Sequence, residues 1–469
     1  MPATPALKRG LRFRDLVPFY VVVVLSIRWT ATAAAAGPSI LIVWIAAVTC
    51  FFIPLAACVM ELSSRHPEEG GIYVWTREAF GDFSGFICAW TYWMSNLPLF
   101  PAVLYFGAAS ALFAFGAHAQ SLSADPLYFI GFSAFWLIAI TLLNIRGVDV
   151  GKWLNNIGSL GSIVPLSTLM LMAGVSWWRF GAATQFTRAS LAPHWSLDNA
   201  VFWSGVFFAF SGIESISAMG DEIQNPRRTI PWALLVAGFI LSIGYVGGTA
   251  ALLVALPSSA VGGPDGFMNG IRILSERLGL GWLLVPMALL VALNGVGGAA
   301  GNLSATARLP FAVGVDRYLP AAFGWIHPRY RTPWVAIAAY GAAGLVFAFL
   351  GQAGTSVRGA YDVLVSLAVI SLFLPYLMLF AAMIRLQSEP AAPEVRRVPG
   401  GKPVAIVLAS LGLASTSVTI VLSLIPGADE INKPLAVAKV LGGTIVLIGA
   451  GVAVFLVERR KARMRVPVR

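Results

Sequence analysis

Twelve apolar runs of about 20 residues, the length that crosses a bilayer core as a helix, divide the chain and restrict its fold more than any other feature. They lie near Leu16 to Ala36, Ile40 to Leu62, Phe83 to Phe115, Leu127 to Ile145, Trp153 to Val175, Ala200 to Met219, Trp232 to Leu256, Trp282 to Ala305, Trp334 to Leu350, Tyr361 to Ile384, Val404 to Ile425 and Ala436 to Val457. In hydrocarbon every backbone N–H and C=O must be satisfied internally, and runs of this length do so as helices. The expectation is an all-α integral membrane protein with 12 transmembrane helices. Only 11% of the residues are charged, against roughly 25% in soluble domains, and 58% are hydrophobic.

The net charge of +11 invites a nucleic-acid reading, which the placement of the charges removes. With the N-terminus inside, 24 of the 32 basic residues fall on inner segments, 7 on outer ones, and Arg28 lies within a span. This positive-inside bias puts both termini in the cytoplasm of a multi-pass cytoplasmic-membrane protein and leaves no nucleic-acid partner. The basic start, MPATPALKRGLRFRD, lacks the small-residue cleavage site of a secretory signal. Cys50, Cys58 and Cys88 all lie in or beside apolar runs, so no disulfide-linked partner subunit and no metal site are expected.

Charged residues inside apolar runs are costly and mark functional positions. The stretch Phe202 to Pro231, FWSGVFFAFSGIESISAMGDEIQNPRRTIP, begins as an apolar helix and places Glu214 just after Ser211 and Gly212. A glycine beside a buried acid predicts an interrupted helix, because unpaired backbone at membrane depth is tolerated only against protein or a cavity. Arg28 sits about twelve residues into the first run, roughly 18 Å along a helix and so near mid-bilayer. Small residues, Thr30 to Ala36, follow it, and Gly37 and Pro38 close the segment. Arg28 either lines a substrate path, snorkels to the interface, or pairs with Glu214. Glu214 in turn is a substrate-path acid or a neutral acid joining the two broken helices by a hydrogen bond.

The run FAFSGIES followed by DEIQNPRRTIPWAL resembles the sixth helix and following loop of the amino acid, polyamine and organocation (APC) transporter superfamily. ELSSRHPEEGGIYVWTREAFGDF is similar to the superfamily's inner loop after the second helix, and LNGVGGAAGNLSATARLPFAVGVDRYLP to its eighth helix and exit. PYLMLFAAMIRL and the following VRRVPGGKPVAIVL resemble the glutamate/γ-aminobutyrate antiporter branch. The resemblance implies a five-plus-five inverted repeat with discontinuous helices 1 and 6, plus two C-terminal helices. It also implies one transporter domain, residues 16–457, between a cytoplasmic segment 1–15 and a basic tail 458–469.

Carried onto this sequence, the resemblance places the substrate α-carboxylate on backbone amides near Thr32 and Ala33. The α-amino group falls on the carbonyls of Trp29, Phe208 and Ser211. Where arginine/agmatine and glutamate/γ-aminobutyrate antiporters carry a tryptophan on the eighth helix, this chain has Asn302, either a substrate contact or a helix-joining amide. The fifth run has no lysine after Lys152, so a lysine standing in for sodium is absent or displaced. The implied activity is secondary transport of amino acids or related amines, by exchange or proton symport, with protons as a possible coupling partner and no cofactor.

An intramembrane enzyme is the main competing class, but His66, His118, His194 and His327 lie in loops and neither HExxH nor GxSxG occurs. A membrane sensor that binds without moving its ligand is the alternative on the same fold. Arg28 favours acidic or neutral amino acids over cationic ones, a preference that pairing with Glu214 would cancel.

Overall fold

The computed structural model describes residues 7–116, 119–263, 265–350, 357–425 and 433–464; parts of the expected terminal segments 1–15 and 458–469 lie outside them. The described chain is helical, with one isolated backbone bridge, Leu11 to Ile223, in place of any strand. Each of the twelve apolar runs falls on helical structure. Seven described helices are long and apolar enough to cross a membrane, or eight when the first, bent pair counts as one.

That pair is α1 (Phe13–Val24) and α2 (Arg28–Ala34), which meet at a 41° bend. Helix α3 (Ile40–Arg65) follows, with a π-helical stretch at Val48–Phe52, and then α4 (Ile72–Phe80) and α5 (Asp82–Leu112). Helices α6 (Pro126–Arg146) and α7 (Val148–Phe180) lead to α8 (Leu197–Phe208), whose Ser196 side chain caps the first turn by accepting from the Asn199 amide at 3.1 Å. After α8 the chain turns through residues 209–214 into a 3₁₀ stretch, Ser215–Glu222. Then come α9 (Pro226–Ala255), α10 (Gly266–Arg277), α11 (Leu284–Thr306), α12 (Arg308–Val315), α13 (Trp334–Leu350), α14 (Val357–Leu386), α15 (Gly401–Ser423) and α16 (Lys433–Met464).

Helices α7 and α11 pack backbone to backbone. A Cβ on Gly158 would stand 2.7 Å from the Cα of Gly297, so neither position admits a side chain without separating the helices. This is the small-residue packing by which membrane helices maximise van der Waals contact when lipid offers no hydrophobic drive between them. Helix α1 packs on both members of this pair, and α9 packs on α1 and α7, so the bend between α1 and α2 lies inside the bundle.

The first break falls earlier than the sequence suggested. Leu25, Ser26 and Ile27 form it, and α2 begins at Arg28, so Thr32 and Ala33 lie within α2, past the break. The physical reason lies on α9: the Tyr245 hydroxyl accepts from the Ser26 amide at 3.2 Å and bonds the Val24 carbonyl, which satisfies the backbone at the bend. No glycine is needed there, because a phenol supplies what the unwound backbone lacks.

Candidate functional site

The break after α8 needs a residue with positive φ, and Gly212 adopts φ 104° at no steric cost. Here too Tyr245 intervenes, because its hydroxyl stands 2.8 Å from the Ala209 carbonyl. One buried phenol therefore touches both interruptions. It has a single proton, so it donates to one carbonyl at a time while accepting from Ser26. A Tyr245→Phe substitution removes the phenol from both breaks: the Ala209 carbonyl loses its bond to the hydroxyl, while the Ser26 amide keeps only its 2.8 Å bond to the Val24 carbonyl. We expect a loss of about 1–3 kcal/mol, seen as a lowered unfolding temperature of the purified protein with its helical circular dichroism retained. An unchanged unfolding temperature would show that the breaks hold without it.

Between the breaks lies a cavity of about 70 Å³, lined from α1 and α2, α5, the turn after α8, and α11. Trp29 and Phe208 form one wall with ring centroids 5.7 Å apart, edge to face. Arg28, 5% exposed, also lines the cavity; its Nε donates to the Ser26 Oγ at 3.1 Å and its guanidinium lies 5.2 Å from the Trp29 ring centre. Arg28 is the one charged residue among the described residues of the lining. Ser211 lines it as well, and its Oγ is buried without a hydrogen-bond partner among the described residues. The Phe208 carbonyl accepts the Ser211 amide at 2.9 Å, which leaves it one lone pair.

Glu214 stands behind this wall. It is 1% exposed, and its Oε1 accepts from Tyr92 on α5 at 2.5 Å and from Tyr376 on α14 at 2.8 Å. Its Oε2 accepts from the Gly212 amide at 3.3 Å, and these are its partners among the described residues. Of the two readings of Glu214, a substrate-path acid or a joint between the two broken helices by a hydrogen bond or an ion pair with Arg28, the second takes another form: the acid ties the turn after α8 to α5 and α14. The reason is direction: from the turn beyond Gly212 the side chain leaves the cavity for the tyrosine side of the bundle. A Glu214→Gln variant keeps an acceptor for both phenols and should remain folded. Glu214→Leu leaves the protons of two buried hydroxyls without their acceptor, although Tyr376 still accepts from the Gly212 amide at 2.9 Å. At about 1–3 kcal/mol for a buried unsatisfied group, the substitution should lower the unfolding temperature below that of the glutamine variant. Equal stability of the two variants would remove the joint.

Asn302 lines the cavity and also ties helices together. Its Nδ2 donates to the Asn96 Oδ1 at 2.9 Å, while its Oδ1 accepts from Tyr340 at 3.3 Å and Thr306 at 3.4 Å. Thr32, whose hydroxyl bonds back to the Arg28 carbonyl at 3.2 Å, and Ala33, fully buried, are not among the lining residues. The structure thus brings Arg28, Trp29, Phe208, Ser211 and Asn302 to one cavity, leaves Glu214 behind it and sets Thr32 and Ala33 apart. Sequence reading missed Tyr92, Asn96, Tyr245 and Tyr376, and also Asn294 on α11, which lines the cavity and donates through Nδ2 to the Gly158 carbonyl at 3.3 Å. The signal for Asn96 and Asn294 was present, as amides inside apolar runs; a tyrosine in an apolar run carries none.

At the end of the bundle that carries the N-terminal segment, a second polar assembly closes the structure. Arg308, 1% exposed, donates through Nη2 to both oxygens of Glu222 at 2.9 and 3.0 Å, and through Nη1 to the Ser304 carbonyl at 2.6 Å. The amides of Gly10 and Leu11 donate to the Glu222 carbonyl, and Gln224 donates back to Leu11.

A helical bundle with apolar spans, in which two interrupted helices meet at a buried cavity, defines a multi-pass membrane protein. The chain belongs to the amino acid permease family, whose model its residues 16–449 match, within the APC superfamily. It is 28% identical over 94% of its length to an uncharacterized transporter of Legionella pneumophila, covering 95% of that protein. It is 24% identical to a probable agmatine/putrescine antiporter of Lactococcus lactis, over 93% of this chain and 92% of that one. A serine/threonine exchanger of Bacillus subtilis is 25% identical over 77% of this chain and 79% of its own.

Proposed function

We propose that this chain is a secondary active transporter that carries amino acids across the cytoplasmic membrane by alternating access. The observation that carries the reading is the cavity between the two breaks, whose lining bears one charged residue among those described, and that one is positive. A guanidinium in a dry site attracts a carboxylate and repels a bare cation. Neutral or acidic amino acids therefore fit better than a diamine, although one relative is described as an agmatine/putrescine antiporter. In this reading Arg28 receives the carboxylate, Ser211 and the Phe208 carbonyl face the amino group, Trp29 and Phe208 enclose it, and Asn302 borders the side chain.

The reading extends to topology. Twelve spans form two inverted five-helix units and two further helices, as one domain over residues 16–457, with both termini in the cytoplasm. The Glu222–Arg308 assembly then lies at the cytoplasmic end and shuts the cavity from that side. The protein works as a carrier and does no covalent chemistry on its cargo.

The test is uptake into proteoliposomes, preloaded or empty, of labelled serine, glutamate and putrescine, with and without a pH gradient. Accelerated serine or glutamate uptake after preloading is the expected result and identifies exchange. Flux of putrescine alone would overturn the carboxylate assignment. Saturable binding of serine with no flux under any gradient would replace the carrier by a sensor on the same fold.

A further inference from the structure

A second cavity, about 490 Å³, opens beside the Glu222–Arg308 assembly and has no part in the site above. Glu69 lines it, from the turn between α3 and α4, and is 8% exposed. Its Oε2 accepts from the Asp221 amide at 3.1 Å, but its Oε1 is buried with no hydrogen-bond partner among the described residues. A carboxylate oxygen that is neither hydrated nor bonded is an unfavourable place for negative charge; a neutral acid there loses far less solvation.

The neighbours supply the missing positive charge only in part: Arg308 draws the Glu69 carboxyl downward, and less strongly than burial and Glu222 raise it. Arg308 is engaged by both oxygens of Glu222, and Arg77 on α4 pairs with Asp316, which also accepts from the Tyr73 hydroxyl at 2.6 Å. Glu68 on the same turn and Asp221 on the 3₁₀ stretch add negative charge, and Arg9 sits on the N-terminal segment that borders the cavity. Burial first, and then the charge of Glu222, push the Glu69 carboxyl well above the usual carboxylate range.

We propose that Glu69 is a proton-binding site, filled from and emptied into the water of the second cavity, whose proton holds the turn against the interrupted sixth helix. The contact it guards is close. The Gly70 amide donates to the Ala218 carbonyl at 3.0 Å, and a Cβ on Gly71 would lie 2.8 Å from the Ala218 amide nitrogen. Separating the turn from the 3₁₀ stretch hydrates Glu69 and returns its affinity for protons toward that of an ordinary carboxylate. The closed arrangement thus binds the proton more tightly than the open one. Closure is favoured at low pH and lost as pH rises through the raised value. Sodium is a poorer fit, because the unpaired atom is one oxygen without a surrounding set of ligands.

For the link from proton to transport, and only there, this inference rests on the carrier reading; the site itself is tested without a substrate. Infrared difference spectra of the purified protein in lipid, wild type minus Glu69→Gln, should contain one protonated-carboxyl stretch at neutral pH that disappears on alkaline titration. Glu69→Asp should shift that band in place of removing it, which keeps the assignment testable if the glutamine variant folds poorly. No difference in the carboxyl-stretch region at neutral pH would overturn the proposal. So would a titration midpoint that moves when sodium replaces a bulky organic cation. In proteoliposomes, the response of serine exchange to internal pH should be lost in Glu69→Gln, and a retained response would break the link to transport. Absence of exchange by the wild type counts against the carrier reading and leaves the spectroscopic result standing.

Discussion

Replacing Arg308 by alanine should destabilise the protein by about 3–5 kcal/mol, the cost of leaving one member of a buried ion pair without its partner. Glu222 is fully buried and both of its oxygens face the same Arg308 nitrogen, so no water is at hand to replace the guanidinium. The loss is larger than that of a surface pair such as Arg272–Glu276, whose side chains are 41% and 59% exposed and whose contribution falls below about 1 kcal/mol. Removing both charges together, as Arg308→Met with Glu222→Leu, should restore most of the lost stability, because the uncompensated charge disappears along with the pair. The measurement is the unfolding temperature and the monodisperse fraction of the two single variants and the double variant in one detergent. Strictly additive losses in the double variant would show that the two residues act separately.

Arg28→Gln should weaken binding of L-serine by about 1.5–3 kcal/mol, roughly 10- to 150-fold, the range for a hydrogen bond to a charged group. The same change should leave ethanolamine, which lacks the carboxylate, unaffected or better bound, since a positive charge has been removed from the cavity. Glutamine retains a donor and much of the length of arginine, so the Ser26 and Trp29 contacts are disturbed less than by alanine. Affinity for both ligands, measured calorimetrically beside the unfolding temperature, separates the roles. Equal losses for serine and ethanolamine would exclude the carboxylate contact and make Arg28 a structural residue of the bend.

Much of the architecture was legible because hydrocarbon admits few solutions. An apolar run of sufficient length has to be a helix, so residues such as Leu127 to Ile145 announce α6 without reference to the rest of the chain. Glu214 and Gly212 announced the second break in the same local way, through an acid in an apolar run beside a glycine. The first break was misplaced because it has no local signature. Leu25, Ser26 and Ile27 read as ordinary helix, and their interruption depends on Tyr245, which is 219 residues distant from Ser26.

The site divides along the same line. By itself the sequence determined the membrane class, through the length of its apolar runs, the family resemblance, through its motifs, and the presence of Arg28 and Glu214 within such runs, where polar groups are costly. Only the tertiary structure decided that these two face different neighbours: Arg28 the cavity, Glu214 the hydroxyls of Tyr92 and Tyr376. It likewise decided that Glu69, on the turn between α3 and α4, is buried against the 3₁₀ stretch with one oxygen unpaired among the described residues. Hydropathy is a property of each segment, whereas the partner of a buried polar group is set by side-chain direction and by residues far along the chain.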